Sequence, residues 1–371
     1  MITKSRTITR RDCLAASGIA LGSFRLARAA AGTESMPHSL LRLSLNENPL
    51  GPSAAAKEAI RNEIDQICRY PGPKADLLLT KAIATREEVP GDQIVLGEIL
   101  GQLGFQLAAN GPLGGEFIYS EPGYTALVDA VAPGGGLVVP VALNEKLEND
   151  LPAISSKMSA RTQAIYLVNP HNPSGTVSDS EAFLRFVREM STHTTVIVDE
   201  AYLEFEPDFE QRTAVGLTRA GDNVIVFRTF AKIFGLAGLS IGYAVAPKAH
   251  AAALKRAGIG GPDAFDRLAL AAALASLQDT GYIPMMRAKV AAERDKWHRL
   301  FDSLNVRHTD SRGNFVFFET RRPHAEFSQA LRAKGIDIGR AFPPLDQWAR
   351  ISIGLPTENE IAREAVAAVL G

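Results

Sequence analysis

The distribution of hydrophobic positions predicts alternating helices and strands over residues 54–245. Short apolar runs rich in β-branched residues alternate with longer stretches in which apolar residues recur at helical spacing. The runs predict strands at 93–96, 116–119, 136–141, 164–168, 195–198, 224–227 and 242–245. The longer stretches predict helices from about residue 54 and at 75–85, 99–110, 125–131 and 180–190. Because strands that read as continuous apolar runs are buried on both faces, the alternation predicts a doubly wound, mostly parallel α/β sheet.

The pattern changes at about residue 262, where longer helical stretches and fewer strands follow. Helices are predicted at 264–278, 283–304 and 325–334, and strands at 314–319 and 350–354. This order is typical of an α+β unit. Because 371 residues exceed the size of one ordinary core, we expect one large and one smaller domain.

Composition and charge exclude several classes of partner. The 40 Lys and Arg residues balance 41 Asp and Glu residues, which gives no electrostatic basis for binding nucleic acid or an anionic membrane surface. The seven histidines lack metal-ligand spacing, and the two cysteines, Cys13 and Cys68, are too few for a thiolate cluster. The sequence therefore predicts no metal site.

The N-terminal segment has the features of an export signal. Arg10 and Arg11 precede a short apolar stretch at 13–24, and the A-R-A at 27–29 has the spacing of a signal-peptidase site. Paired arginines are typical of the twin-arginine route, so residues 1–31 are predicted to be a signal peptide that directs the protein to the periplasm. The apolar stretch is too short to form a stable membrane anchor. The alternative is a basic N-terminal arm on a cytoplasmic protein.

The candidate chemistry centres on Lys232. It lies in the apolar run VIVFRTFAKIFGLAGLSIGYAVAP at 224–247, and a lysine amine in such surroundings is suited to attack a carbonyl carbon. Two motifs precede it, VNPHNPSGT at 168–176 and VIVDEAYLEF at 196–205, and LNENPLGP occurs at 45–52. None of these motifs is specific alone, but their order and spacing together are.

The motifs together resemble the fold-type I aminotransferases that use pyridoxal phosphate, and most closely their histidinol-phosphate aminotransferase branch. The resemblance extends from about residue 43 to residue 371. It implies a large cofactor-binding domain at 61–260 and a smaller α+β domain at 261–371, to which an N-terminal arm at 32–60 contributes. It also implies small amino acid and keto acid substrates and a homodimer with a shared active site.

The resemblance assigns contacts with the cofactor ring to five residues. Lys232 is expected to hold the cofactor covalently and to move a proton at the substrate carbon. Asp199 is expected to hold the proton on the pyridine nitrogen, whereas an isolated Asp at a strand end often caps a helix. Asn172 and Tyr202 match residues that hydrogen-bond the ring hydroxyl, although the segment around Asn172 also has the composition of an ordinary turn. Tyr124 matches an aromatic residue that stacks on the ring, and its alternative is a tyrosine at the edge of the core.

Four further residues complete the expected site. Tyr70 matches a tyrosine that reaches the cofactor phosphate of the neighbouring subunit. Arg350 matches the arginine that binds the substrate's α-carboxylate, or the phosphate in histidinol-phosphate enzymes, and its planar fork suits that contact. The alternative for Arg350 is a surface arginine on a strand. Arg340 is expected to be a second anion contact, and Asn46 lies in the arm that closes over the substrate.

The residues that surround the cofactor phosphate depart from the family pattern. Ala231 precedes the lysine where Ser or Thr is usual, and Ser240 replaces an arginine, so that only its hydroxyl can contact the phosphate. The turn at 97–102 differs from the usual glycine-rich GNGSDE. Backbone N–H groups near Ile99 remain available, and Arg228 is a candidate replacement cation. These changes predict weaker cofactor retention than in typical relatives, because a charged partner of a phosphate contributes about 1.5–3 kcal/mol per hydrogen bond.

The predicted function is therefore that of a pyridoxal-phosphate-dependent aminotransferase. It would transfer an amino group between an amino acid, or an amino-alcohol phosphate, and a keto acid or aldehyde. Two alternatives stay open at this point, a decarboxylase or lyase of the same fold and a non-catalytic descendant that binds a ligand. The second alternative would leave the presence of Lys232 and Asp199 unexplained.

Overall fold

A seven-stranded sheet forms the centre of the structure, a computed structural model that describes residues 40–72, 74–261 and 264–371. The strands are β1 (Leu41–Leu43), β2 (Ile94–Leu96), β3 (Glu116–Glu121), β4 (Leu137–Ala142), β5 (Thr162–Val168), β6 (Thr195–Asp199), β7 (Val224–Thr229), β8 (Gly242–Val245), β9 (Phe315–Glu319), β10 (Ile336–Ile338) and β11 (Trp348–Ser352). The central sheet has the order β2-β8-β7-β6-β5-β3-β4, and of these seven strands only β8 runs antiparallel to its neighbours. The predicted mostly parallel α/β sheet is confirmed.

Side chains alternate between the two faces of this sheet, and each face is covered by its own hydrophobic core. In β7, Val224 and Val226 belong to the larger core, whereas Ile225 and Phe227 belong to the smaller one on the other face. Strands β6, β7 and β8 are buried along their whole length. Burial on both faces explains why their sequences read as continuous apolar runs.

Twelve helices connect and flank the strands within the described ranges. They are α1 (Ala54–Glu63), α2 (Ala75–Glu87), α3 (Leu100–Asn110), α4 (Leu151–Ser156), α5 (Ser180–Ser191), α6 (Phe209–Arg212), α7 (Val215–Ala220), α8 (Lys248–Arg256), α9 (Arg267–Gln278), α10 (Tyr282–Ser303), α11 (His324–Ala333) and α12 (Pro356–Leu370). Ser53, Asp179 and Asp266 each accept a hydrogen bond from a backbone N–H three residues further on and so fix the starts of α1, α5 and α9.

The helix predicted at 125–131 is wrong. The chain forms two short 3₁₀ turns there, at Val128–Ala130 and Ala132–Gly134. Pro133 has no backbone N–H, and Gly135 adopts a positive φ of 90°, so neither supports an α-helix that continues into β4. The apolar spacing of the segment arises because Leu127, Val128 and Val131 are buried in the smaller core.

The C-terminal part of the chain has two small sheets. Strands β9 and β11 pair antiparallel, and β1 of the N-terminal arm pairs parallel with β10. Helix α10 packs against β9 and α12. The arm thus joins the C-terminal elements, while the predicted domain boundaries themselves stay predictions. The predicted signal peptide at 1–31 lies outside the described residues.

Residues 40–72, 74–261 and 264–371 contain neither a candidate membrane-spanning helix nor a candidate metal site. No helix in these ranges is both long and apolar enough to cross a membrane. No group of three or more His, Cys, Asp or Glu side chains in the same ranges is arranged to hold a metal ion.

Candidate active site

A cavity of about 600 Å³ lies at the carboxyl ends of β5, β6 and β7, where open α/β sheets bind their ligands. Nine of the ten side chains predicted to form the site line it, all except Tyr70. These nine are Asn46, Tyr124, Asn172, Asp199, Tyr202, Lys232, Ser240, Arg340 and Arg350. The strand ends therefore bring together residues that are up to 304 positions apart in sequence, from 46 to 350.

Asp199 ends β6 in the middle of the sheet and is almost completely buried, with 1% of its surface exposed. One carboxylate oxygen accepts a hydrogen bond of 3.0 Å from the hydroxyl of Tyr166, and the other accepts one of 3.0 Å from the backbone N–H of Ala201. Burial raises the pKa of Asp199 to about 6, although both hydrogen bonds and Lys232 oppose the rise. Among the residues described, no basic side chain pairs with it. A cationic ligand atom would relieve this buried charge.

Lys232 follows β7 and reaches the same cavity, where it is half-buried. Its Nζ lies 3.5 Å from the backbone oxygen of Leu45 and 5.7 Å from the ring centre of Tyr202. The hydroxyl of Tyr202 in turn accepts a hydrogen bond of 3.1 Å from the side-chain amide of Asn46. The amine is thus held beside the N-terminal arm, and among the residues that the structure describes it is the only lysine that lines this cavity.

Arg350 on β11 closes the side of the cavity that lies next to Asn172. It donates hydrogen bonds of 2.6 Å to the side-chain oxygen of Asn172 and of 2.8 Å to the backbone oxygen of Ser44. Only 8% of its surface is exposed, and its Nε has no partner. Burial, with a smaller contribution from nearby Arg340, lowers the pKa of Arg350 to about 10. Arg350 is therefore a buried cation that faces the cavity and not a surface arginine, while its anion-binding role stays a prediction.

The two aromatic residues predicted for the site differ in position. Tyr124, in the loop after β3, lines the cavity with 43% of its surface exposed, and burial of its hydroxyl raises its pKa to about 12. Tyr70 lies outside the cavity of its own chain and is 86% exposed. The stacking role of Tyr124 and the intersubunit role of Tyr70 stay predictions.

Arg228 does not replace the arginine missing at position 240. Alternation along β7 directs Phe227 and Thr229 into the cavity and Arg228 to the opposite face of the sheet. There Arg228 is ion-paired at 2.9 Å with Glu200 and at 3.0 Å with Glu87. The expectation that it lends charge to a phosphate is therefore wrong.

Several residues that line the cavity were given no role from the sequence, among them Glu98, Thr229 and Phe342. Thr229 and Phe342 carry no motif that marks them, since each lies in an ordinary apolar segment. Glu98 had a signal, because it is the only charged residue between Asp92 and Glu116. A single charge in so long an uncharged stretch indicates a position where the fold tolerates, or uses, an ionisable group.

The residues around the cavity fit pyridoxal phosphate at its ring end. Asp199 offers an uncompensated buried carboxylate to a protonated ring nitrogen, and the amide of Asn172 and the hydroxyl of Tyr202 are available to the ring hydroxyl. Lys232 supplies the amine that would hold the cofactor's aldehyde carbon. Together with the sheet order, this arrangement defines a pyridoxal-phosphate-dependent enzyme of fold type I.

Known proteins agree with this class. Residues 38–368 match the family described as aminotransferase class I and II. The chain is 33% identical over 334 residues to the histidinol-phosphate aminotransferase of Limosilactobacillus fermentum, covering 89% of this chain and 90% of the relative. It is 33% identical over 337 residues to histidinol-phosphate aminotransferase 2 of Pseudomonas fluorescens, covering 90% of each chain. The structure of the Sinorhizobium meliloti histidinol-phosphate aminotransferase in complex with pyridoxal 5'-phosphate superposes with a TM-score of 0.79 at 28% identity, covering 89% and 90% of the two chains.

The chain belongs to the class I and II aminotransferase family. It is a pyridoxal-phosphate-dependent aminotransferase, as the sequence predicted. The family membership fixes the cofactor and the type of reaction, while the substrates must be argued from the cavity itself.

Proposed function

We propose that this aminotransferase takes amino donors that carry a carboxylate or a phosphate monoester, and that Arg350 and Arg340 bind that anion. The observation that carries the proposal is the environment of Arg350. Its guanidinium is buried, no carboxylate among the described residues pairs with it, and its Nε is free to donate. A buried cation is costly unless a charged partner compensates it, so an anionic ligand would stabilise this arrangement.

Arg340 extends the anion site towards solvent. Its guanidinium carbon lies 4.6 Å from the ring centre of Phe342, and that of Arg350 lies 5.1 Å from the same ring. Two guanidinium groups around one aromatic ring can together bind a dianion such as a phosphate monoester. The named relatives act on histidinol phosphate, an amino alcohol with such a group, which supports a phosphorylated amino alcohol beside amino acids as a donor.

Asp199, Lys232 and Arg350 have separate roles in the proposed reaction. Pyridoxal phosphate, when bound, supplies the electron sink that makes the bond to the substrate's α-hydrogen weak. Asp199 holds the proton at the ring nitrogen, and Lys232 takes up and returns a proton at the substrate carbon that carries the amine. Arg350, which is fixed by Asn172 and by the backbone of Ser44, orients the substrate so that this carbon faces Lys232.

The test compares L-histidinol phosphate with L-histidinol, a pair that differs only in the phosphate group. We expect the wild-type enzyme to prefer the phosphorylated donor. Arg350→Gln should lose most of this preference, through a rise in KM of about tenfold to a hundredfold, because one charge-assisted hydrogen bond contributes about 1.5–3 kcal/mol. The same variant should also lose activity with L-glutamate as the donor. With glutamate, both the keto acid formed and the carbon dioxide released are measured.

Arg185→Gln is the matched control, since Arg185 is a surface arginine on α5 with 66% of its side chain exposed. If Arg350→Gln weakened both histidinol compounds equally, the anion-binding role would be rejected. If glutamate released carbon dioxide without forming a keto acid, the decarboxylase alternative would replace transamination for that substrate.

We also propose that the active unit is a homodimer in which Tyr70 completes the partner's site. Tyr70 belongs to a segment unusually rich in exposed large apolar side chains, and such clusters mark protein–protein interfaces. Its exposed members are Ile64, Ile67, Tyr70, Leu77 and Leu78. A second copy of this chain is the occupant that family membership supports, because symmetric dimers bury the same patch on both subunits.

Subunit mixing tests this assembly. Tyr70→Ala and Lys232→Ala should each be nearly inactive, but a mixed dimer contains one site with both native residues. An equal mixture refolded together should therefore regain about a quarter of the wild-type activity. A mixture of Asp199→Asn with Lys232→Ala should regain none, since these two residues line the same chain's cavity. A monomeric mass in light scattering would also reject the dimer.

We further propose that residues 1–31 direct export through the twin-arginine route. The support is the pair Arg10 and Arg11, the short apolar stretch and the A-R-A at 27–29. When the full chain is expressed in a bacterium with this route, the periplasmic fraction should contain a shortened protein. Replacing both arginines by lysine should retain the full-length protein in the cytoplasm. Equal distribution of both forms would favour the basic-arm alternative.

A further inference from the structure

Glu98 occupies an unusual position for a carboxyl group. It lies in the turn between β2 and α3 and lines both the active-site cavity and an adjoining cavity of about 490 Å³. One carboxyl oxygen accepts a hydrogen bond from the hydroxyl of Thr229, whose oxygen accepts the backbone N–H of Ala231 at 2.9 Å. The backbone of Gly242 lies directly beside it, since a Cβ added there would be 3.1 Å from the Glu98 carboxyl. The carboxyl of Glu98 thus packs against Thr229 and Gly242, on either side of Lys232 in sequence.

The sheet order and the cofactor's covalent structure place the phosphate on the Glu98 side of the cavity. In pyridoxal phosphate the hydroxyl and the phosphate arm flank the aldehyde carbon on opposite sides, and the ring nitrogen lies opposite that carbon. Asp199 ends the middle strand β6, and Asn172 follows its neighbour β5 on one side. With the ring hydroxyl at Asn172, the phosphate arm extends in the other direction, over the ends of β7, β8 and β2. Thr229, Ser240 and Glu98 lie at those ends.

This end of the site has few groups that suit a phosphate. Of the described side chains that line the two cavities, the basic ones are Lys232, Arg340 and Arg350, and the last two belong to the substrate side. The adjoining cavity adds the acidic Asp266 and no basic residue. An ionised Glu98 would repel a phosphate that is mostly dianionic at neutral pH. A neutral carboxyl carries an O–H and can donate to a phosphate oxygen.

The groups around Glu98 favour the neutral form. Glu98 is exposed towards the two cavities, yet desolvation by the surrounding protein groups, together with the charge of Asp199, raises its pKa to about 7, against the opposing effects of the Thr229 hydroxyl and the Lys232 amine. Tyr124 also faces it and stays neutral, because burial raises the pKa of Tyr124 to about 12. The surface that Glu98 exposes faces the two cavities. A ligand that fills them removes this water and disfavours the charged carboxylate still more.

We propose that Glu98 binds the cofactor phosphate as a neutral carboxyl that donates a hydrogen bond, so that cofactor binding is coupled to a proton on this residue. Glu98 takes part of the place of the hydroxyl that is absent at Ala231 and of the arginine that Ser240 replaces. The site then holds pyridoxal phosphate tightly in mildly acidic solution and releases it more readily in alkaline solution.

The test measures the dissociation constant of pyridoxal phosphate for the apoenzyme as a function of pH, in the wild type and in Glu98→Gln. The amide of Gln can donate at every pH, so the ratio of the two constants isolates the titration of Glu98 from the other groups. If only the neutral carboxyl binds, the wild-type constant should rise relative to that of the variant by about 30-fold between about pH 6 and about pH 8.5. Below about pH 6 the two proteins should bind equally well.

Two controls separate this role from a structural one. Pyridoxal lacks the phosphate, so its affinity should show the same pH dependence in both proteins. Glu88→Gln, which changes a surface carboxylate that pairs with Arg219, should behave like the wild type with either ligand. A constant ratio for pyridoxal phosphate at all pH values, or an equal effect on pyridoxal, would overturn the proposal. The assay contains no substrate, so its outcome is independent of the anionic donor proposed above.

Discussion

Asp199 is a residue of this site whose buried charge lowers the stability of the protein without its cofactor. Its carboxylate is buried at the end of β6 and receives two hydrogen bonds, yet no positive charge among the described side chains pairs with it. In the unfolded chain, water would solvate the same carboxylate freely. Without the cofactor, the ionised form therefore destabilises the folded protein, and a cationic ring nitrogen placed beside it, as proposed above, would offset that cost.

We predict that Asp199→Asn makes the apoenzyme more stable at about pH 8, by about 3 kcal/mol at most, since the pKa is raised from 3.8 to about 6. A raised carboxyl pKa means that the folded state binds the proton more tightly. The wild type therefore recovers stability as the pH falls through about 6, and the advantage of the variant should vanish near pH 4. Urea unfolding of both apoenzymes over this pH range measures the effect.

The same substitution should lower kcat by about a hundredfold or more in the presence of the cofactor, because the ring nitrogen loses its acidic partner. Glu360→Gln, which changes an exposed carboxylate on α12, serves as the control and should alter neither quantity. A variant that is less stable than the wild type at pH 8 would show that the lost hydrogen-bond acceptor matters more than the buried charge.

At the residue scale, the sequence predicted those side chains that a strand end or a motif marks. Asp199 and Lys232 follow apolar runs, and Asn172 lies in a turn of distinctive composition. The role suggested for Arg228 failed because distance in sequence from Lys232 says nothing about which face of β7 a side chain takes. Glu98 was recognised only as part of an altered turn, since its contact with Thr229 joins residues 131 positions apart.

At the scale of elements, helix α3 illustrates how close packing decides the effect of a small change. Gly104 of α3 lies against the turn that begins at Leu127, and a Cβ added there would be 2.2 Å from the backbone oxygen of Leu127. A Cβ on Gly101 of the same helix would meet its nearest atom, the backbone oxygen of Ala126, at 3.6 Å. The two glycines therefore share a helix and differ in the space around them.

We predict that Gly104→Ala lowers the free energy of unfolding by about 2 kcal/mol or more, because the helix must move away from a rigid backbone carbonyl. Gly101→Ala is the control and should raise it by up to about 1 kcal/mol, since alanine favours the helix and finds ordinary contact distances. Urea unfolding of the apoenzyme compares the two variants. Equal effects would mean that helix propensity, and not packing against Leu127, controls this position.

At this scale, longer elements with strong periodicity were predicted more accurately than short ones. The buried strands of the central sheet and the helix at Ser180–Ser191 have strong periodicity, and their positions were correct within a few residues. Strands β1 and β10 have three residues each and pair across nearly the whole chain, so no local pattern marks them. The segment at 125–131 has helical apolar spacing, but Pro133 and the glycines after it redirect the backbone.

At the scale of the whole molecule, the N-terminal arm connects the central sheet with the C-terminal sheets at the active site. The backbone oxygens of Ser44 and Leu45 contact Arg350 and Lys232, respectively. Asn46 adopts a positive φ of 54° and donates its backbone N–H to the hydroxyl of Ser352 at 2.7 Å. The arm thus links Arg350 and β11 to the region beside the amine of Lys232, which the central sheet itself positions.

The buried side chain of Asn314 fixes this arm, and its removal tests the connection. Its amide donates hydrogen bonds of 2.9 Å to the backbone oxygen of Asn46 and of 3.1 Å to that of Glu47. Asn314→Ala leaves both carbonyls without these donors, at a cost of about 1–3 kcal/mol each. We predict that KM for an anionic amino donor rises about tenfold or more, because Arg350 loses its fixed contact with the arm. The affinity for pyridoxal phosphate should change much less, since Asp199 and Lys232 are positioned by the central sheet.

Steady-state kinetics and cofactor titration measure the two effects, with Asn110→Ala as a control at an exposed amide. A fall in stability with an unchanged KM would mean that the arm stabilises the fold without orienting the substrate.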